Sequence, residues 1–199
     1  MVAAPLVLAS GSKARAELLR SAGLAFDLVA PPVDERKIES SWPGDVAPGE
    51  AARLLAREKA LAVSRMRPAA LVIGADQTLA LGHERFTKAT TMAEARTTLV
   101  RLRGRTHALH SAFALARGGA VLDDHVATAR MTMRNLSDAA LDDYLDRAGE
   151  AILASVGCYH LESLGVTLFS AVEGDYFTVL GLPLLDLLAS LRGEGVIAS

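Results

Sequence analysis

Leu6-Val7-Leu8-Ala9-Ser10-Gly11-Ser12-Lys13-Ala14-Arg15 decides the class of fold. Leu6 to Ala9 is a short apolar run and reads as a buried strand, and Ser10-Gly11-Ser12 reads as a tight turn. From Ala14 to Ala22 the pattern is helical, with Leu18 and Leu19 apolar and Gly23 placed to stop it. Strand, turn and helix in that order open a βα unit, the building block of α/β folds.

The rest of the chain extends this pattern. Phe26 to Ala30 reads as a second strand ended by Pro31-Pro32, and residues 31–49 read as loop. Glu50 to Met66 is a long helix, and Leu71-Val72-Ile73-Gly74-Ala75 is a buried strand that ends on Asp76. Thr91 and Glu94 form a capping box that opens a helix to about Arg103. Residues 105–117 and 120–134 form a hairpin about Gly118-Gly119; from Ala127 onward, Ala and Met alternate with Thr and Arg at a period of two. Ser137 caps a helix over 138–147, residues 156–181 read as short glycine-punctuated strands, and Pro183 opens a last helix, Leu184 to Leu191. The expected class is α/β, a mixed sheet with flanking helices and two lobes around a central cleft. No linker or repeat divides residues 1–199, so one domain is expected.

Composition narrows the functions. With 51% hydrophobic residues the chain can bury enough surface to fold, which excludes disorder. A net charge of −2 gives no field for a nucleic-acid polymer or an anionic membrane, so any anionic ligand must meet a local basic cluster. A lone cysteine, Cys158, builds neither a disulfide nor a zinc site. The apolar opening lacks a basic n-region and no run reaches membrane-spanning length, so the expected location is the cytoplasm.

Several residues are candidates for chemistry. Ser10, Gly11 and Ser12 sit where free backbone N–H groups meet a helix N-terminus, a natural phosphate cradle; an ordinary serine cap is the alternative. Lys13 and Arg15 oppose the helix dipole, which a bound anion would explain. Asp76 ends a strand, where α/β folds gather ligands, and suits a metal or a water-activating base; a turn-starting Asp is the other reading. Lys59 shares the face of Leu55 and Val63, so it either snorkels or points into a cleft. Asp34, Glu35 and Lys88 lie in loops, where a solvated role competes with a functional one. Together these residues supply what metal-assisted attack on a phosphoanhydride needs.

In that order the segments resemble the Maf family of nucleotide pyrophosphatases over about residues 5–192. Ser10-Gly11-Ser12-Lys13-Ala14-Arg15 with Glu17-Leu18-Leu19, Val33-Asp34-Glu35, Ala56-Arg57-Glu58-Lys59-Ala60, Ile73-Gly74-Ala75-Asp76-Gln77 and Glu173-Gly174-Asp175-Tyr176 through Leu180-Gly181-Leu182-Pro183-Leu184 carry the likeness. The resemblance implies hydrolysis of nucleoside triphosphates to monophosphate and pyrophosphate with a divalent cation (Mg²⁺, Mn²⁺ or Co²⁺) in a cytoplasmic homodimer. It implies catalytic Asp76, Glu35, Lys59 and Lys88, metal ligands Glu35 and Asp76, and substrate-binding Ser10, Ser12, Arg15, Gln77 and Glu162. Gln77 after Asp76, and Gly157-Cys158-Tyr159-His160-Leu161-Glu162, are similar to the branch acting on 7-methyl-GTP; the dTTP/UTP branch is the alternative. The chain departs from the family pattern at Lys13, Ala89, His110 and Ser163. Those departures, with the family's link to septum formation, leave a non-catalytic nucleotide-binding protein as a reading of another class.

Overall fold

A computed structural model describes residues 5–198; residues 1–4 of the apolar opening and residue 199 lie outside them. The first unit forms as its sequence predicts. β1 (Leu6–Ala9) is buried throughout, and Ser12 caps α1 (Lys13–Ser21) by accepting from the Arg15 amide. β2 (Asp27–Leu28) follows, then α2 (Glu35–Ser40) and α3 (Pro48–Met66), with Pro48 in the first turn of α3.

The centre of the molecule is β3 (Leu71–Leu81), β4 (Glu84–Phe86), α4 (Met92–Leu102), β5 (Thr106–Arg117) and β6 (Ala120–Met133). After α5 (Asp138–Ala148) come two 3₁₀ turns, β7 (Phe169–Glu173), a one-turn helix α6 (Tyr176–Val179) and α7 (Leu184–Gly193). The strands form one mixed seven-stranded sheet in the order β2-β1-β3-β5-β6-β7, with β4 also on β3. This is the mixed α/β sheet with flanking helices that the sequence predicts.

Three expectations are corrected. Residues 31–49 are not all loop, because Asp34 accepts from the Lys37 amide and caps α2. Asp76 does not end its strand, since β3 runs on to Leu81 and keeps unbroken register with β5 as far as Ala80. Residues 156–181 hold one strand, a 3₁₀ turn and a helical turn instead of several strands, because the glycines there set tight turns: Gly165 packs so closely on the His160 backbone that a Cβ would stand 2.4 Å from its carbonyl oxygen.

Packing explains why α3 lies so near the sheet. Ala52, Ala56 and Ala60 recur every fourth residue and pack on Ala112, Ala114 and Ala116 of β5. At Gly74 of β3 an added Cβ would stand 2.2 Å from the Ala56 carbonyl oxygen, so only glycine admits this approach. On the opposite face, β3 supplies two cores in succession. Leu71, Ile73 and Ala75 pack with α1 and α7, whereas Leu79 packs with α4, α5 and the far end of β6. The polar residues Asp76, Gln77 and Thr78 fall at the changeover.

Candidate functional site

The changeover coincides with an opening in the sheet. β1 pairs with β3 only along Leu71–Gly74, and β4 pairs with it only at Leu79–Leu81. β5 occupies the other edge of β3 continuously from Val72 to Ala80. The edge of β3 from Ala75 to Thr78 therefore has no strand beside it. The chain leaving β1 delivers Ser10 and Ser12 to one side of this gap. β4 runs antiparallel to β3, so the chain leaving it at Phe86 heads toward the gap from the other side, with Lys88 just beyond.

Asp76 and Lys59 meet at the gap. Lys59 Nζ lies 2.5 Å from Asp76 Oδ1 and 2.7 Å from Glu35 Oε1. Lys59 is only 6% exposed and Asp76 8%, so the lysine turns inward onto the carboxylates and does not snorkel. The face shared with Leu55 and Val63 turns it inward, and the alanine ridge brings its helix close enough to reach. Glu35 arrives from the first turn of α2, where a carboxylate suits the helix dipole. At the other end of α2, Glu39 makes a double contact with Arg85 of β4, both distances 3.2 Å, and Arg85 lies over the Trp42 ring. No residue of α2 is buried, so these polar contacts hold it against the rest of the molecule.

Arg15 closes the near side. Its Nε donates to the Gly181 carbonyl at 2.8 Å, and Nη1 donates to the Ala75 carbonyl at 3.0 Å and to Ser10 Oγ at 3.3 Å. The Ala75 carbonyl lies just past the point where β1 stops. Burial pulls the guanidinium pKa down from its usual value, while the charges of Asp76 and Glu35 push it back up. Burial likewise pushes the Asp76 carboxyl up, opposed chiefly by the Lys59 ammonium and then by Arg15.

The other predicted residues stand as follows. Gln77 adjoins Asp76 but spends its amide nitrogen on Ser111, Thr178 and Val179. Lys88 and Glu162 are exposed, and neither forms an ion pair among the described residues. Ala89, next to Lys88, and Cys158, on the segment leading to Glu162, are buried in the same apolar cluster, which brings the two segments together. Burial pushes the Cys158 thiol up, so it packs as an inert group. A cavity of about 210 Å³ lies between Lys88, Ala89 and α4.

The donor set suits a hard divalent cation. Asp76 and Glu35 converge, and each contacts Lys59 through a single oxygen. Among the described residues no group of three or more His, Cys, Asp or Glu forms, so an ion here would take its other ligands from phosphate oxygens and water, as Mg²⁺ commonly does.

Sequence reasoning missed the carbonyls of Ala75 and Gly181 and the Glu39–Arg85 anchor. Backbone acceptors leave no compositional trace, but Asp34 followed by Glu35-Arg36-Lys37 was a readable helix start. No helix among the described residues is long and apolar enough to cross a membrane.

Comparison with known proteins identifies the family of the chain. The chain is 52% identical over 194 residues to the nucleoside triphosphate pyrophosphatase of Rhodopseudomonas palustris strain HaA2, covering 98% of this chain and 96% of that one. It is 51% identical over 194 residues to the protein of the same name from Caulobacter vibrioides, covering 97% of each. A third so named, from Bradyrhizobium diazoefficiens, is 52% identical over 194 residues, with 98% and 96% covered. The model of the family described as Maf-like protein matches residues 5–194. A match of that extent, with half the residues shared with these relatives, means that the chain belongs to the Maf family.

Proposed function

We propose that this protein is a hydrolase that cleaves nucleoside triphosphates to monophosphate and pyrophosphate at the gap between β1 and β4. The observation that carries the reading is the meeting of Asp76 and Glu35 on one buried lysine beside a stretch of β3 with no strand on that edge. Water attacks the α-phosphorus, a new P–O bond forms, and the α–β anhydride bond breaks with pyrophosphate as leaving group. Asp76 takes the proton of the water; a carboxyl raised by burial is a better base than an ordinary one. Lys59 and Arg15 offset charge on the phosphoryl oxygens. Ser10, Ser12 and the amides of their turn hold the phosphates, and Lys88 reaches them from the opposite rim. A divalent cation on Asp76 and Glu35, whether Mg²⁺, Mn²⁺ or Co²⁺, would supply further charge neutralisation.

Among substrates we favour 7-methyl-GTP. Glu162 carries an exposed carboxylate on a segment that shares a buried cluster with the Lys88 loop, and a carboxylate complements a cationic methylated guanine. A pyrimidine such as dTTP or UTP offers no such charge. The test is pyrophosphate release from a nucleotide panel that includes 7-methyl-GTP. A wild-type protein that releases none from any nucleotide refutes the reading, and binding without turnover selects the non-catalytic alternative. Within it, Glu162→Gln should weaken 7-methyl-GTP more than UTP, and an unchanged ratio removes Glu162 from the substrate argument. A homodimer in the cytoplasm is the setting we infer.

A further inference from the structure

Gln77 follows Asp76 in β3, and successive side chains of a strand leave on opposite faces. Asp76 faces α3 and Lys59; Gln77 faces α6. Its Nε2 lies 2.9 Å from Ser111 Oγ, 3.1 Å from the Thr178 carbonyl and 3.0 Å from the Val179 carbonyl. Ser111, opposite Gln77 in register, donates to the same Thr178 carbonyl at 2.7 Å. Three acceptors surround an amide with two protons, so this nitrogen has nothing left for a ligand.

The segment that Gln77 grips leads to Arg15. Gly181 has φ +98°, and its carbonyl accepts from Arg15 Nε. A Cβ on Gly181 would stand 3.4 Å from that Nε and 3.6 Å from Gln77 Oε1, so the two side chains close on the same glycine. Arg15 returns to β3 at the Ala75 carbonyl, two residues before Gln77. The contacts form a ring from β3 through residues 178–181 and Arg15 back to β3.

We propose that Gln77 is a positioning residue: it holds the Thr178–Gly181 segment on β3, and that segment fixes the Arg15 guanidinium beside Asp76 for the triphosphate. The proposal rests on the pyrophosphatase reading above. Its consequence is that residue 77 acts on every nucleotide alike and does not read the base.

The test compares wild type with Gln77→Met, which keeps the length and removes both donors, and Gln77→Glu, which sets a carboxylate against two carbonyls. Should either fail to fold, Ser111→Ala loosens the same contact more gently. Each is measured with GTP, UTP, dTTP and 7-methyl-GTP, and for binding of inorganic tripolyphosphate, which has no base. The expected result is a common fall in kcat/KM of about tenfold or more, carried mainly by KM, with the ratios between nucleotides kept within about twofold. Tripolyphosphate affinity should fall by the same factor. Altered nucleotide ratios with unchanged tripolyphosphate binding would overturn the proposal, as would unchanged kinetics in Gln77→Met. A wild-type protein inactive on every nucleotide would defeat the pyrophosphatase reading instead. The ring itself would then be judged by amide hydrogen exchange: faster exchange at residues 178–182 in Gln77→Met supports it, and unchanged exchange refutes it.

Discussion

Lys59 Nζ stands 2.5 Å from Asp76 Oδ1 at a depth where neither charge is well hydrated. Each makes the other tolerable, so removing one leaves an uncompensated buried ion. Lys59→Met should cost about 3–5 kcal/mol of stability near neutral pH. Adding Asp76→Asn should recover much of that loss, because the stranded carboxylate is gone. Urea unfolding of the two single variants and the double variant measures the coupling; strictly additive effects would show that the pair is not energetically joined.

Asp76→Asn alone keeps an acceptor for Lys59 but cannot take a proton. Pyrophosphate release should fall by about 10²–10⁴-fold while the fold persists. The raised carboxyl also fixes the pH dependence. Folding favours the protonated form, so the stability this group contributes is present at low pH and is lost as pH rises through its elevated value. Activity runs the other way: kcat/KM should decline on the acid side as Asp76 is protonated. A pH–rate profile whose acid limb survived in Asp76→Asn would place the base elsewhere.

Glu39 and Arg85 hold α2, and with it Glu35. Arg85→Ala should raise the half-saturating Mg²⁺ concentration by roughly tenfold with little change in kcat at saturating metal. The swapped pair, Arg85→Glu with Glu39→Arg, should recover part of the loss. Calorimetric Mg²⁺ titration and the metal dependence of the rate report this together. Equal metal affinity in Arg85→Ala and wild type would mean that α2 needs no such anchor.

Gly74→Ala tests the approach of α3 to the sheet. The new methyl would meet the Ala56 carbonyl and, at 2.5 Å, the Ala60 amide nitrogen, so the helix must retreat. The expected destabilisation is about 1–3 kcal/mol or more, with a loss of activity because Lys59 moves with the helix. Thermal melts and turnover measured on one preparation check both.

His107 gives the protein a second pH dependence, remote from the site. It is 1% exposed, its Nε2 is 2.7 Å from the Tyr159 hydroxyl, and burial pulls its pKa down to about 4. The unfolded chain therefore binds a proton that the folded state refuses. Stability is full above the ordinary histidine value and declines as pH falls from about 6.5 toward 4, by roughly 3 kcal/mol in total. His107→Gln can still bond Tyr159 but does not titrate in this range, so denaturation at pH 7.5 and pH 5 should differ less than in wild type.

Local pattern revealed the outline of this fold, and for physical reasons. Leu6–Ala9, Glu50–Met66 and the long hairpin declare themselves through apolar runs and periodicity. α2 escapes because the four prolines, two glycines and tryptophan of residues 31–49 read as irregular chain, although Asp34 caps it. The local pattern singles out Asp76 as a strand end, which it is not. It stands mid-strand, and what leaves its strand edge without a neighbour is that β1 stops at Ala9 and β4 pairs with β3 only from Leu79 onward. That fact concerns two other segments and cannot be seen within Ile73-Gly74-Ala75-Asp76-Gln77. The helical pattern leaves Lys59 between snorkelling and pointing inward, and the alanine packing of its helix against the sheet decides for the second.

The unbroken register of β3 against β5, from Val72 to Ala80, has an evolutionary consequence. Side chains alternate along it, so one residue inserted between Gly74 and Asp76 would push the acid into the place of the amide, turned toward α6, and leave another side chain opposite Lys59. Descendants of this sequence can lengthen the Gly118-Gly119 tip without touching the chemistry. In the few residues around Ala75, a shift of a single codon would silence the enzyme at once.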